Sequence, residues 1–283
     1  MPPELARRTI DLGGGVRLEL VRIPAGQFVM GDPAGEPDEQ PPTPVVIPKP
    51  FWIGRCEVTN AEFARFDPAH DSHVEPMHGY QFGIHGYPTS GPRQPVVRVS
   101  WQKAIDFCRW LSRTTGGKFD LPTEAQWEYA CRAGTSTPLS YGTLDTDFSG
   151  WANLGDLKLR EFALDTFVQV RVIAKPNKYD DWVPKDERYN DGGFVSVDVG
   201  SYKPNPWGLC DTHGNVWEWT RSVYQPYPYR DDDGRSDPAA GGPRVVRGGS
   251  WYDRPKRCTS SYRMAYHPYQ GVFNVGFRVV MNP

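Results

Sequence analysis

Few groups of side chains in this chain have the types and spacing that chemistry needs. Four of the six histidines, His70, His73, His78 and His85, fall within residues 67–94 together with Asp71 and Glu75. Neutral imidazoles with a carboxylate could hold iron(II) or zinc and leave positions open. The stretch follows neither a helical nor a strand period, so it reads as a solvated loop in preference to an iron or zinc site. The five cysteines, Cys56, Cys108, Cys131, Cys210 and Cys258, are odd in number and form no CxxC pair. Structural zinc and a disulfide framework are therefore not expected. Gly13-Gly14-Gly15 precedes a strand and opens no helix, so it is a turn and not a phosphate cradle. No Ser-His-Asp order has a supporting motif.

The elements that would position any site are short. Val16 to Met30 alternates on both sides of Pro24-Ala25-Gly26 and reads as a β-hairpin. Phe51 to Val58 reads as a strand, and Thr59 with Glu62 forms a capping box for a short helix ending near Phe66. After a strand at Pro95 to Val99, Ser100 caps a helix in which Trp101, Ala104, Ile105, Cys108 and Leu111 share a face, and Gly116-Gly117 ends it. Thr123 and Gln126 cap another helix, carrying Trp127, Ala130 and Cys131 and stopped at Gly134. Cys108 and Cys131 read as small core residues. Thr135 to Pro206 is irregular apart from an apolar run at Phe167 to Ala174. Strand-like pieces follow at Val216 to Thr220, Arg244 to Trp251, Ser260 to Ala265 and Val275 to Met281. Two main helices among short strands and long loops indicate an α+β class. No repeat or linker divides the chain, so one domain over 1–283 is expected.

Composition narrows the class. Lys+Arg 32 against Asp+Glu 34 leaves a net charge of -2, which excludes nucleic-acid binding by bulk charge. Gly 29 and Pro 28 make up about a fifth of the chain, yet aromatics reach 13%, so a loop-rich protein with a ring-built core is expected. No run approaches the ~20 apolar residues of a membrane span. Met1 to Ile10 lacks the apolar stretch of a secretory signal, which makes the cytoplasm the default location; a trimmed signal would imply a periplasmic or secreted protein. A monomer is expected.

Several segments together resemble the formylglycine-generating enzyme family, the sulfatase-modifying factors. They are Phe28 to Gly31 (FVMG), Glu57 to Asn60 (EVTN), Pro95 to Trp101 (PVVRVSW), Leu121 to Gly134 (LPTEAQWEYACRAG), Gly214 to Trp219 (GNVWEW), Arg244 to Trp251 (RVVRGGSW) and Asn274 to Val279 (NVGFRV). They follow the family's order across nearly the whole chain. The resemblance implies a C-type-lectin-like core with little regular structure and loops held by calcium. It also implies two calcium sites, one from Asp211, Gly214, Val216 and Glu218, the other from Asn153, Leu154, Asp191 and Gly193. Carboxylates, amide oxygens and backbone carbonyls on a wrapping loop suit that hard cation.

In the resembled enzymes two cysteines after GGS bind copper(I) and, with oxygen, oxidise a substrate cysteine to formylglycine. Here Cys258 stands at the second position, but Asp253 occupies the first, while Ser250 matches the family's serine. A carboxylate is hard and suits copper(I) poorly, so the familiar copper mechanism is not expected. Only Cys210 or Cys56 could approach through the fold to replace the missing thiol. Cys258 is expected to be a buried small residue in the last sheet in preference to a reactive thiol. Two readings stay open. One is a diverged oxygen-dependent oxidase acting on a protein or peptide such as a sulfatase, with Ser250, Asp253, Cys258 and Arg263 as its site. The other is a silent lectin-like module that binds a peptide, protein or glycan through the ring-rich segment Trp251 to Asn274. Tyr224 to Asp233 could rim a peptide groove but reads in preference as a solvated loop.

Overall fold

The computed structural model describes residues 5–73, 88–158 and 186–282. A first sheet has the order β1 (Arg7–Asp11), β2 (Arg17–Ile23), β5 (Phe51–Gly54), β11 (Val280–Asn282), β6 (Lys118–Asp120). The last strand of the chain thus lies between β5 and β6, antiparallel to both. A second sheet runs β10 (Val275–Gly276), β7 (Trp217–Val223), β8 (Arg244–Arg247), β9 (Met264–Tyr266), and a ribbon joins β3 (Gly26–Met30) to β4 (Thr43–Ile47).

The expected hairpin across Pro24 is not formed. β2 pairs with β1 and β5, whereas β3 pairs only with β4. The reversal falls instead at Gly13, Gly14 and Gly15, whose φ values of 81°, 61° and 80° are ones that side-chain-bearing residues avoid. Pro24 offers no N–H to extend the β2 ladder, and the chain leaves that sheet there. Two other expected strands shorten. Phe51 to Val58 ends at Gly54, and Pro95 to Val99 retains a single bridge, Thr59 to Pro95. Arg98 sits at φ 60°, outside the strand region.

The helices follow the sequence signals. α1 (Asn60–Phe63) begins with Thr59 and Glu62 satisfying each other's backbone N–H groups, and ends somewhat earlier than its pattern suggests. α2 (Trp101–Thr115) is capped by Ser100 and buries Trp101, Ala104, Ile105, Phe107, Cys108 and Leu111. That face packs with Phe63, Trp217, Trp219 and Phe277 in the largest core cluster, where Phe107 stacks on Phe63 at 5.6 Å. α3 (Glu124–Arg132) is capped by Thr123 and Gln126 and ends at Ala133, φ 49°. It buries two carboxylates as well as Trp127. Glu128 is bound by Arg132 and Arg247, and Glu124 by Arg263, so neither charge is left uncompensated. The described parts of Thr135 to Pro206 hold no helix or strand, and the apolar run Phe167 to Ala174 lies outside the described residues.

Candidate functional site

β8 leads through Gly248 and Gly249 into the segment that carries Ser250, Asp253 and Cys258. A side chain at Gly249 would overlap Cys258 Sγ, so glycine is what lets the thiol lie against the turn. Cys258 is buried, as expected, but not in the last sheet. It ends a 3-10 turn, Pro255–Cys258, and packs with Phe148, Ala152 and Leu154. The local rise of the turn, with Pro255 opening it, turns the residue inward away from any ladder.

Asp253 is buried among donors. Its Oδ2 accepts from Ser250 Oγ at 2.6 Å and from Trp217 Nε1 at 2.8 Å, while Oδ1 faces Arg257 Nη1 at 3.0 Å. Ser250 Oγ in turn accepts from Asn274 Nδ2 at 2.8 Å. The carboxylate is therefore charge-paired and hydrogen-bonded on both oxygens. Burial, and then the charge of Asp253, push the Cys258 thiol well above its ordinary pKa. A thiol nucleophile or soft-metal ligand acts as the thiolate, so this environment opposes the chemistry instead of promoting it. Three of the four expected residues come together here, and Arg263 does not belong to their hydrogen-bond network. Its guanidinium is buried on Glu124, at 2.6 Å to Oε1, donates to the Asp38 and Gln225 carbonyls, and lies between the rings of Tyr224 and Tyr227. Arg257, four residues after Asp253, is the cation that faces it.

The two expected calcium sets are neighbours. Asn215 N donates to Asn153 O at 2.9 Å, and Asn153 Nδ2 donates to Asn215 Oδ1 at 3.1 Å. In the Asn153 set, Asn153 Oδ1 is buried with no hydrogen-bond donor. Asp191 accepts from the Leu154 and Gly193 amides at 2.7 Å each, and burial with Asp156 nearby pushes its pKa up to about 7. A cation beside it would relieve both conditions, so these residues fit calcium. In the other set, Asp211 Oδ2 accepts from Gly200 N at 2.6 Å and Oδ1 has no donor. Glu57, from the EVTN segment, adds two buried oxygens without donors and sits well above the carboxylate range through burial and the charges of Asp211 and Glu218. Glu218 itself is occupied by Arg278, at 2.6 Å to each oxygen, and by Trp127 Nε1 at 2.8 Å. The open oxygens of this set are thus those of Asp211 and Glu57, not Glu218. Among the described residues no three His, Cys, Asp or Glu side chains group as a metal centre, so a cation here would depend on amide and carbonyl oxygens as well.

Of the histidine stretch, His78, His85 and Glu75 lie outside the described residues. His70 Nε2 is 2.9 Å from Val97 O and its ring meets Phe63 edge-on. His73 lies between Asp71 Oδ1 at 2.9 Å and Ser90 Oγ at 2.8 Å. Cys131 is 3.6 Å from His213 Nε2, but burial raises the thiol to about 11 and lowers the imidazole to about 4, the reverse of an activated pair. The Tyr224 to Asp233 segment is packed more than a groove rim would be, with Tyr227 and Tyr229 buried.

Residues 16–283 match the family model described as a sulfatase-modifying factor enzyme 1-like domain. The chain belongs to this family. Within the sulfatase-modifying factor family, a formylglycine-generating enzyme of Streptomyces coelicolor is 30% identical over 91% of this chain and 87% of its own. An inactive C-alpha-formylglycine-generating enzyme 2 of Bos taurus is 29% identical over 97% of this chain and 91% of its own. The solved structure of PvdO from Pseudomonas aeruginosa superposes with a TM-score of 0.71 at 26% identity and covers 98% of each chain. The fold of this sulfatase-modifying factor relative is thereby shown, and named relatives of both kinds, active and inactive, are about equally similar. Activity has to be argued from the residues themselves. Those that motif reading did not single out as site residues are Trp217, Arg257 and Asn274 around Asp253, and Glu57 beside Asp211. For Asn274 and Glu57, position inside the NVGFRV and EVTN segments was the available signal.

Proposed function

We propose that this protein is a member of the sulfatase-modifying factor family without formylglycine-generating activity, and that it works as a calcium-held binding module for a protein or peptide. One observation carries the reading: the position of the first copper thiol is an aspartate whose two oxygens are taken by Ser250, Trp217 and Arg257. The remaining thiol, Cys258, is buried and held protonated. Aromatic surface stands on the same segment. Tyr252 and Phe273, half-buried, pack around the buried Trp251 with centroids 5.3 to 6.0 Å apart, and Tyr269 is 76% exposed with His267 stacked on it. Rings with few rotatable bonds suit a contact surface. The test incubates the protein with copper(I), oxygen, a reductant and a peptide containing Cys-x-Pro-x-Arg. The peptide mass is expected to stay unchanged; conversion of its cysteine to formylglycine above the protein-free control supports the oxidase reading and overturns this one.

Calcium would be held by Asn153 and Asp191 with the Leu154 and Gly193 carbonyls, and by Asp211 and Glu57 with the Gly214 and Val216 carbonyls. Its role there is to fix loops and balance carboxylate charge. After removal of metal by a chelator, calcium at about a hundredfold over its Kd stabilises by ~2.7 kcal/mol. For one site that corresponds to a melting-temperature rise of roughly 4–5 °C for a chain of this size. Asp191→Asn is expected to remove the share of the rise due to its own site and leave that of the Asp211 site, and a calorimetric trace that calcium does not move rejects both sites.

A further inference from the structure

The cysteines that copper chemistry would not use are placed for a different reaction. Cys56 follows β5, and Cys210 lies in the loop before β7. Cys210 N donates to the Arg55 carbonyl at 2.8 Å, so the two segments run side by side. The Arg278 guanidinium binds both, with Nη1 3.3 Å from Arg55 O and Nη2 3.0 Å from Cys210 O. The two thiols lie under the same glycine: a Cβ at Gly200 would be 3.6 Å from Cys56 Sγ and 3.9 Å from Cys210 Sγ, which places the sulfurs side by side. All five thiols are reduced in this structure. Cys108, Cys131 and Cys258 are buried in the interior, whereas Cys56 is partly exposed and lines an open cavity of about 380 Å³. The same cavity is edged by Arg17, Arg55 and Arg93 and by Glu19 and Glu62.

We propose that Cys56 and Cys210 form a redox-active dithiol that takes a low-molecular-weight disulfide through this cavity. The accessible sulfur, Cys56, which Cys210 and burial keep largely protonated, attacks one sulfur of the small disulfide in its minor thiolate form, breaks its S–S bond and releases the first small thiol, so the exchange is slow. Cys210 then attacks the Cys56 sulfur of the mixed disulfide, which releases the second small thiol and closes the Cys56–Cys210 bond. The two protein thiol protons leave on the two small thiols, and the protein pair is oxidised by the two electrons that reduce the small disulfide. Cys210, fully buried, is reached only by its neighbour. The proposal does not depend on the copper reading, because none of the residues around Asp253 takes part; Cys56 and Cys210 adjoin Glu57 and Asp211, so the exchange is run with calcium removed by a chelator.

The test equilibrates folded, reduced protein with mixtures of reduced and oxidised glutathione, quenches with an alkylating acid, and maps non-reduced peptides by mass spectrometry. The expected result is a single internal cross-link, Cys56 to Cys210, stoichiometric at oxidising ratios and reversed by dithiothreitol. Cys210→Ser is expected to stop at a glutathione adduct on Cys56, and Cys56→Ser to remain unmodified at Cys210. A wild-type protein that stays reduced, that stops at the Cys56 adduct, or that cross-links through Cys258 overturns the proposal. The wild-type map decides the matter even where a variant does not fold.

Discussion

Asp253→Cys is expected to bind a single copper(I) ion at least about a thousandfold more tightly than wild type, ~4 kcal/mol of added affinity. The second thiol, Cys258, is already in the site, and the substitution supplies the first. Two soft thiolates suit copper(I), and the hard carboxylate they replace does not. The change also acts through charge. Asp253 is one of the causes that hold the Cys258 thiol above its ordinary pKa, and removing it leaves Arg257 free to stabilise thiolate. Against this, Trp217 Nε1 and Ser250 Oγ lose their shared acceptor, which costs about 1–3 kcal/mol of stability for the group left unpaired. Ser250 keeps its bond from Asn274. Competition against a coloured copper(I) chelator gives the measurement, with Asp253→Asn and the double variant Asp253→Cys/Cys258→Ser as controls. Equal retention by wild type and Asp253→Cys would show that position 253 is not what silences the site.

What the sequence could show of that site follows from distance along the chain. Ser250 and Arg257 lie three residues before and four after Asp253, so their approach was open to local reasoning, yet the sequence reading takes Arg263 as the site's cation and passes over Arg257. Trp217 comes from a strand in the middle of the second sheet, and its place in the GNVWEW segment could not say that its indole reaches Asp253, thirty-six residues on. The same limit explains the hairpin. Alternation on both sides of Pro24 is a local pattern, and it cannot register that β11, from the end of the chain, pairs with β5 and completes the sheet to which β2 belongs. α2 was legible because five apolar residues at helical spacing, a serine cap and a glycine stop all state one answer within sixteen residues or so. Glu57 and Asp211 show the converse. As site residues, Asp211 is marked only through the family resemblance and Glu57 not at all, and only the fold makes them two buried carboxyls without enough donors.

The largest loss of stability is expected from Arg278→Ala. The side chain is fully buried, and its guanidinium donates to both oxygens of Glu218 at 2.6 Å and to the carbonyls of Gly54, Arg55 and Cys210 at 3.0 to 3.3 Å. It joins β5, the Cys210 loop and β7, which belong to two sheets and the loop between candidate calcium oxygens. Truncation leaves the Glu218 carboxylate with Trp127 Nε1 as its remaining donor, next to the acids Glu57 and Asp211. Breaking one partner of a buried pair costs about 3–5 kcal/mol, a large part of the ~5–15 kcal/mol by which a domain is stable. Denaturant midpoints would show it directly. Arg278→Lys keeps the charge but not the fork and should recover only part of the loss. Arg278→Met with Glu218→Gln removes both charges, and should be more stable than Arg278→Ala alone, because the penalty arises mainly from the carboxylate left behind. If the double variant is no better than the single one, the loss is one of packing and carbonyl bonds, and the charge argument fails. If Arg278→Ala stays within about 1 kcal/mol of wild type, the guanidinium does not hold the two sheets together.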